Sequence, residues 1–100
     1  MNNYQPLVNL IGLAQRAGKV ISGEELVIKS IRQQEATLVF LANDAGDNLT
    51  KKLTDKSKYY QIEVSTVLNA LELSMAIGKP RKAIAIVDAG FSKKMRTLMA

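Results

Sequence analysis

The 100-residue chain contains no cysteine, no histidine and no tryptophan, and only two prolines. Without cysteine there is no disulfide framework, thiolate metal site, redox dithiol or cysteine nucleophile. Without histidine the Ser-His-Asp triad is impossible, and the commonest transition-metal ligand is missing. No uninterrupted apolar run approaches the ~18 residues that a membrane-spanning helix needs. The opening stretch, Met1 to Gln5, lacks the basic start of a secretory signal. What is present is a 47% hydrophobic composition, enough for a packed core, and 14 Lys+Arg against 9 Asp+Glu. The resulting charge of +5 favours anionic partners. These features predict a soluble cytoplasmic domain covering residues 1–100. They favour a binder over an enzyme, with no cofactor, metal, membrane or small-molecule substrate.

Helix-like and strand-like stretches alternate along the chain. Leu7, Leu10, Ile11, Ala14 and Ala17 recur at helical spacing, with Pro6 in the first turn and Gly18 placed to end the helix. Lys19 to Ile21 reads as a very short strand. Ser22-Gly23-Glu24-Glu25 has the form of a capping box, which predicts a second helix beginning at Ser22 and fading near Gln33–Glu35. Val27, Ser30 and Ile31 form its packed face, and Glu25, Lys29 and Arg32 lie on the other. Thr37–Ala42 is a continuous apolar run with β-branched and aromatic residues, as expected of a strand buried on both faces.

A lysine-rich helix follows from about Asp47 to Tyr60, with Leu49, Leu53 and Tyr60 inward. A short strand is expected at Ile62–Val64. The next helix, Asn69 to Ile77, is expected to bury Leu71, Met75 and either Leu68 or Ala76, and Gly78 and Pro80 end it. Ala83–Val87 is the second buried strand. A last helix from Phe91 to Leu98 takes Ser92 as its N-cap, with Phe91 as a hydrophobic staple. Alternation of this kind implies parallel crossovers and helices on both faces of one sheet, an α/β fold in three α/β/α layers.

Few residues suggest catalysis. Gly12 to Val20 superficially resembles a phosphate-binding loop, but its spacing is one residue too long and Val20 replaces the required hydroxyl. Asp44 and Asp88 follow the two strongest strands, where ligands often bind in open α/β sheets. Each also sits where a turn or a helix N-cap wants an aspartate, and no third partner accompanies them. The cations are more informative. Lys51, Lys52, Lys56 and Lys58 crowd one helix, Lys79, Arg81 and Lys82 one loop, and Lys93, Lys94 and Arg96 the last helix. Such clusters supply sequence-independent attraction to phosphate, although most lysine runs are simply solvated helix faces.

Four blocks resemble the L7Ae/L30e ribosomal protein family in order and spacing. They are Leu10 to Lys19, Ser22 to Lys29, Ala36 to Asp44 and Glu72 to Gly78, so the likeness spans nearly the whole chain and matches bacterial members best. It implies a three-layer α/β/α sandwich around a four-stranded mixed sheet. It also implies a non-catalytic protein, monomeric when free and associated with ribosomes or translation. Its partner would be kink-turn RNA, a sharply bent helix–bulge–helix.

In that family the start of the second helix enters the groove at sheared G·A pairs through a G-x-N-E-x-x-K motif. A glycine allows close approach to phosphate, and the helix-end N–H groups attract the anion. Carried over residue by residue, Gly23 and Lys29 match the glycine and lysine. Glu25 stands at the asparagine and Leu26 at the glutamate, both departures from the pattern. The implied RNA contacts are Gly23, Glu24, Glu25 and Lys29, with Lys19 and Arg32 as positioning cations. Asn43 and the loop Thr66, Val67 and Leu68 would complete them by covering an unstacked nucleotide.

Blander roles exist for several of these residues. Gly23 eases the start of the helix, Glu25 serves as the capping-box acid, and Lys29 pairs with Glu25 at i,i+4. Val67 and Leu68 then belong to the core. The departures at Glu25 and Leu26 also fit a protein–protein module that keeps the scaffold without RNA specificity.

Overall fold

The structure is a computed structural model that describes residues 3–100; Met1 and Asn2, which begin the stretch read as lacking a basic signal, lie outside the described residues. Its centre is a pair of strands, β2 (Leu38–Leu41) and β4 (Ala83–Ile86), in which every residue is buried. They are flanked by two short strands, β1 (Val20–Ser22) and β3 (Val64–Ser65), in the order β1-β4-β2-β3. Side chains alternate across the sheet, so the apolar run is divided between two cores. Leu38, Phe40, Ile84 and Ile86 face a layer formed by α1 (Gln5–Arg16), α4 (Ala70–Ile77) and α5 (Ala89–Met99). Val39, Leu41, Ala83 and Ala85 face α2 (Glu24–Arg32) and α3 (Asp47–Tyr59). Three layers result, and helices on both faces explain why the central strands read as continuous apolar runs.

The expectation of parallel crossovers throughout is corrected. Among the described residues only β2 and β3 pair in parallel, with Val39 opposite Val64; β4 runs antiparallel to both β1 and β2. Helix–strand alternation fixes which elements exist, but a strand buried on both faces carries the same apolar pattern in either direction. The mixed sheet implied by the family resemblance is the one observed.

Four local expectations are also corrected. Ser22 does not cap α2, because its backbone is paired with Ile84 in the sheet and the N-cap is Gly23. In α4, Leu71 and Met75 are 68% and 70% exposed, while Leu73 and Ile77 carry the packed face. Finally, α5 begins at Ala89 with Asp88 as N-cap, whose carboxylate accepts from the Phe91 N–H at 2.8 Å. Ser92 is instead fully buried, and its hydroxyl meets that of Thr37 at 2.5 Å. The strand expected at Ile62–Val64 lies at Val64–Ser65.

Among the described residues no helix is long and apolar enough to cross a membrane, and no cluster of three His, Cys, Asp or Glu could hold a metal ion. Asp44 and Asp88 both satisfy backbone donors at helix starts, the reading that turn and cap chemistry favours.

Candidate nucleic-acid interface

Because β1, β2 and β3 all run opposite to β4, their C-terminal ends meet the N-terminal end of β4 at one edge of the molecule. Backbone bonds knit the loops there. The Asn43 N–H donates to Leu68 O at 3.0 Å, and the Ala42 N–H donates to Lys82 O at 2.8 Å. The Gly23 N–H donates to Ala83 O at 3.2 Å. Asn43 also donates from Nδ2 to Thr66 O at 3.3 Å, so its side chain holds the 65–69 loop in place. Topology thus brings Gly23, Glu24, Asn43, Thr66, Val67 and Leu68 to one end of the sheet.

Helix starts at this end differ in how they are closed. The start of α4 is fully capped: the Asn69 side chain accepts from Glu72 N–H at 2.8 Å, and Glu72 accepts from Asn69 N–H at 2.9 Å. Asp44 adds a third acceptor, taking the Ala70 N–H at 2.9 Å. Among the described residues neither α2 nor α3 has a side-chain cap, so their first-turn N–H groups and positive dipole ends remain available to an anion. Gly23, the N-cap of α2, has φ of +96°. That backbone conformation, rather than crowding, requires glycine, since an added Cβ would meet Arg81 Nε only at 3.7 Å.

In front of α2 lies an open cleft of about 370 Å³, lined by Gly23, Glu24, Leu49 and Ala70 and by the 80–83 loop. Arg81 and Lys82 on that loop bring positive charge to it. Ser74 fixes the loop, its hydroxyl donating to Arg81 O at 3.2 Å and accepting from the Arg81 N–H at 3.0 Å. Glu24, on the rim, is engaged by Lys52 Nζ at 2.9 Å.

The remaining expected residues fall into three groups. Glu25, Lys29 and Arg32 lie exposed along α2, with Arg32 ~13 Å from Gly23 at 1.5 Å per residue. Among the described residues Glu25 and Lys29 form no ion pair, so the bland pairing at i,i+4 is absent. Leu26 beside them is 58% exposed. Lys19 is exposed but sits at the far end of β1, ~13 Å along the strand from Gly23, and is not brought to the cluster.

The apolar loop is corrected in part. Leu68 is 1% exposed and packs in the core, so its side chain offers no surface to a base. Val67 is half-buried against that core and retains an outward edge. Sequence reasoning missed Arg81, Lys82 and Leu49 as neighbours of Gly23. The 79–82 charge cluster was visible, but only the strand order places it against α2.

The chain is similar to known proteins over most of its length. The model of the ribosomal protein L7Ae/L30e/S12e/Gadd45 family matches residues 6–96. An Enterococcus faecium protein named RNA-binding protein YlxQ is 52% identical over 97 residues, covering 97% of this chain and 94% of that protein. Its namesake from Bacillus subtilis is 47% identical over 91 residues, covering 90% of this chain and 91% of that one. A solved structure of a protein of unknown function from Bacillus halodurans superposes with a TM-score of 0.89 at 46% identity, over 93% of this chain and 95% of the other.

Proposed function

The chain belongs to the ribosomal protein L7Ae/L30e/S12e/Gadd45 family, and from that premise we propose that it is a non-catalytic RNA-binding domain recognising a kink-turn or similarly bent internal loop. The observation that carries this reading is Gly23. At φ of +96° it heads an uncapped helix beside a cleft bearing Arg81 and Lys82. An RNA phosphate approaching Gly23 meets first-turn N–H groups and a positive helix end, with the Arg81 guanidinium beside the glycine and no Cβ on Gly23 itself.

Each neighbour has a role on this reading. Glu25 accepts a hydrogen bond from an exposed base amino group, as a carboxylate can. Leu26 contributes an apolar contact in place of the glutamate of the family pattern. Lys29 and Arg32, further along α2, and the lysines of α3 contact phosphates and fix the orientation without reading sequence. Val67 covers the edge of a nucleotide turned out of the bulge. The protein binds the bent conformer more tightly than the extended one and so shifts the RNA toward the bend. The domain acts as a monomer in the cytoplasm, associated with the translation machinery.

The test is a titration of a kink-turn RNA and a straight duplex of equal length, at two salt concentrations. Lys29→Ala and Gly23→Asp are run in parallel. Kink-selective binding, lost in Gly23→Asp and with a salt slope lowered by about one charge in Lys29→Ala, supports the reading. Equal weak binding to both RNAs by all three proteins overturns it and leaves the scaffold as a protein–protein module.

A further inference from the structure

The candidate interface does not end at the cleft. Glu24 lines both the cleft and a second groove, between α2 and α3, that also contains Glu25, Ile28, Arg32, Lys52 and Lys56. Lys52 and Lys56 in turn line a hollow completed by Asp55, Tyr59 and Tyr60. Shared residues make one continuous path from Gly23 to the C-terminal end of α3. Along it the cations Arg32, Lys52 and Lys56 face Glu24 and Glu25, and Glu24 is already held by Lys52.

At the end of this path stands Tyr59, 79% exposed, more so than Leu71 or Met75. Its ring meets that of Tyr60 edge-on, with centroids 4.9 Å apart, and Tyr60 packs against the α2–α3 core. Tyr59 is therefore an open ring braced from one side. Helical spacing puts Lys52, Lys56 and Tyr59 on the flank of α3 that faces α2, with Lys52 and Tyr59 ~10 Å apart along the axis. Asp55 lines the same hollow, and helical spacing sets it toward the outer side of α3. An exposed aromatic ring beside a row of cations matches single-stranded nucleic acid, whose bases stack while its phosphates follow the charges. Neither half alone would have this meaning, since a lone exposed tyrosine or a lysine-bearing helix is commonplace.

We infer that the α2–α3 groove is a second subsite, which takes an unpaired RNA strand leaving the bent element and stacks one of its bases on Tyr59. The inference rests on the RNA reading above, and its test separates the two. The RNAs are a blunt kink-turn and the same RNA carrying a six-nucleotide oligoadenylate at its 5′ or 3′ end. Wild type, Tyr59→Ala and Tyr59→Phe are each titrated with all of them. Wild type binds one extended RNA roughly tenfold more tightly than the blunt RNA. Tyr59→Ala loses that gain and keeps the blunt affinity, while Tyr59→Phe retains most of it.

Absence of any gain at either end, or a gain undiminished in Tyr59→Ala, overturns the subsite. Should kink selectivity itself fail, free oligoadenylate still tests the groove. The chain has three tyrosines and no tryptophan, so its intrinsic fluorescence reports tyrosine environments. Oligoadenylate should quench that fluorescence in wild type and much less in Tyr59→Ala; no quenching, or equal quenching in both, overturns the proposal.

Discussion

Lys52 Nζ donates to the Glu24 carboxylate at 2.9 Å, joining the first residue of α2 to the middle of α3 where the cleft meets the α2–α3 groove. Both side chains are about half-exposed, so the pair contributes within ~1 kcal/mol to stability. Its larger effect is electrostatic. Glu24 offsets the positive end of α2 and occupies a cation that phosphate would otherwise engage. Glu24→Gln should therefore tighten RNA binding several-fold at low salt and steepen the salt dependence, while the melting free energy changes by no more than about 1 kcal/mol. Titrations at two ionic strengths and a thermal melt check both parts.

Gly23 carries a conformational demand that any L-residue violates. Gly23→Ala should cost about 1–3 kcal/mol through the φ of +96°. No side chain blocks the space, so the variant should still fold, with a lowered denaturation midpoint. Equal stability of Gly23→Ala and wild type in urea would show that the backbone relaxes freely there.

The two faces of α4 give opposite outcomes for the same substitution. Leu73 is fully buried, and Leu73→Ala should cost about 2–5 kcal/mol. Leu71 is 68% exposed, and Leu71→Ala should change stability by less than about 0.5 kcal/mol. Urea denaturation of the pair distinguishes this arrangement from the reverse.

Ser57 is 1% exposed, and among the described residues its hydroxyl has no hydrogen-bond partner. Removing an unsatisfied buried hydroxyl from a helix interior relieves a desolvation cost and adds helix propensity. Ser57→Ala should be neutral or stabilising by up to about 1 kcal/mol, read as a raised denaturation midpoint.

The contrast within α4 also shows what the sequence could convey. Helix and strand order was legible because apolar runs are bounded by strong punctuation, such as Gly78 with φ of +80° after α4. The rotation of α4 was not, because Ala-Leu-Glu-Leu-Ser-Met-Ala-Ile contains two i,i+4 apolar pairs. Packing against α1 and the sheet selects Leu73 and Ile77. The Asn69/Glu72 capping box, whose pattern is present in the sequence, fixes where that helix starts.

Caps elsewhere were misplaced because serine is a good N-cap in general, whereas Ser22 is claimed by the sheet and Ser92 by Thr37. At the candidate site, Gly23 and Glu24 were accessible through the resemblance of one contiguous block. Arg81 and Lys82 were not, since they join the cleft only because β4 lies between β1 and β2. Burial of Leu68 depends on the same tertiary packing, and no local pattern distinguishes it from the adjacent Val67.

The central claim is that the protein holds RNA in a bent form, and the most direct measurement is end-to-end energy transfer in a doubly labelled kink-turn RNA without added divalent ions. The account predicts that wild type raises transfer with saturation and that Gly23→Asp does not. Binding of wild type with no change in transfer would contradict it.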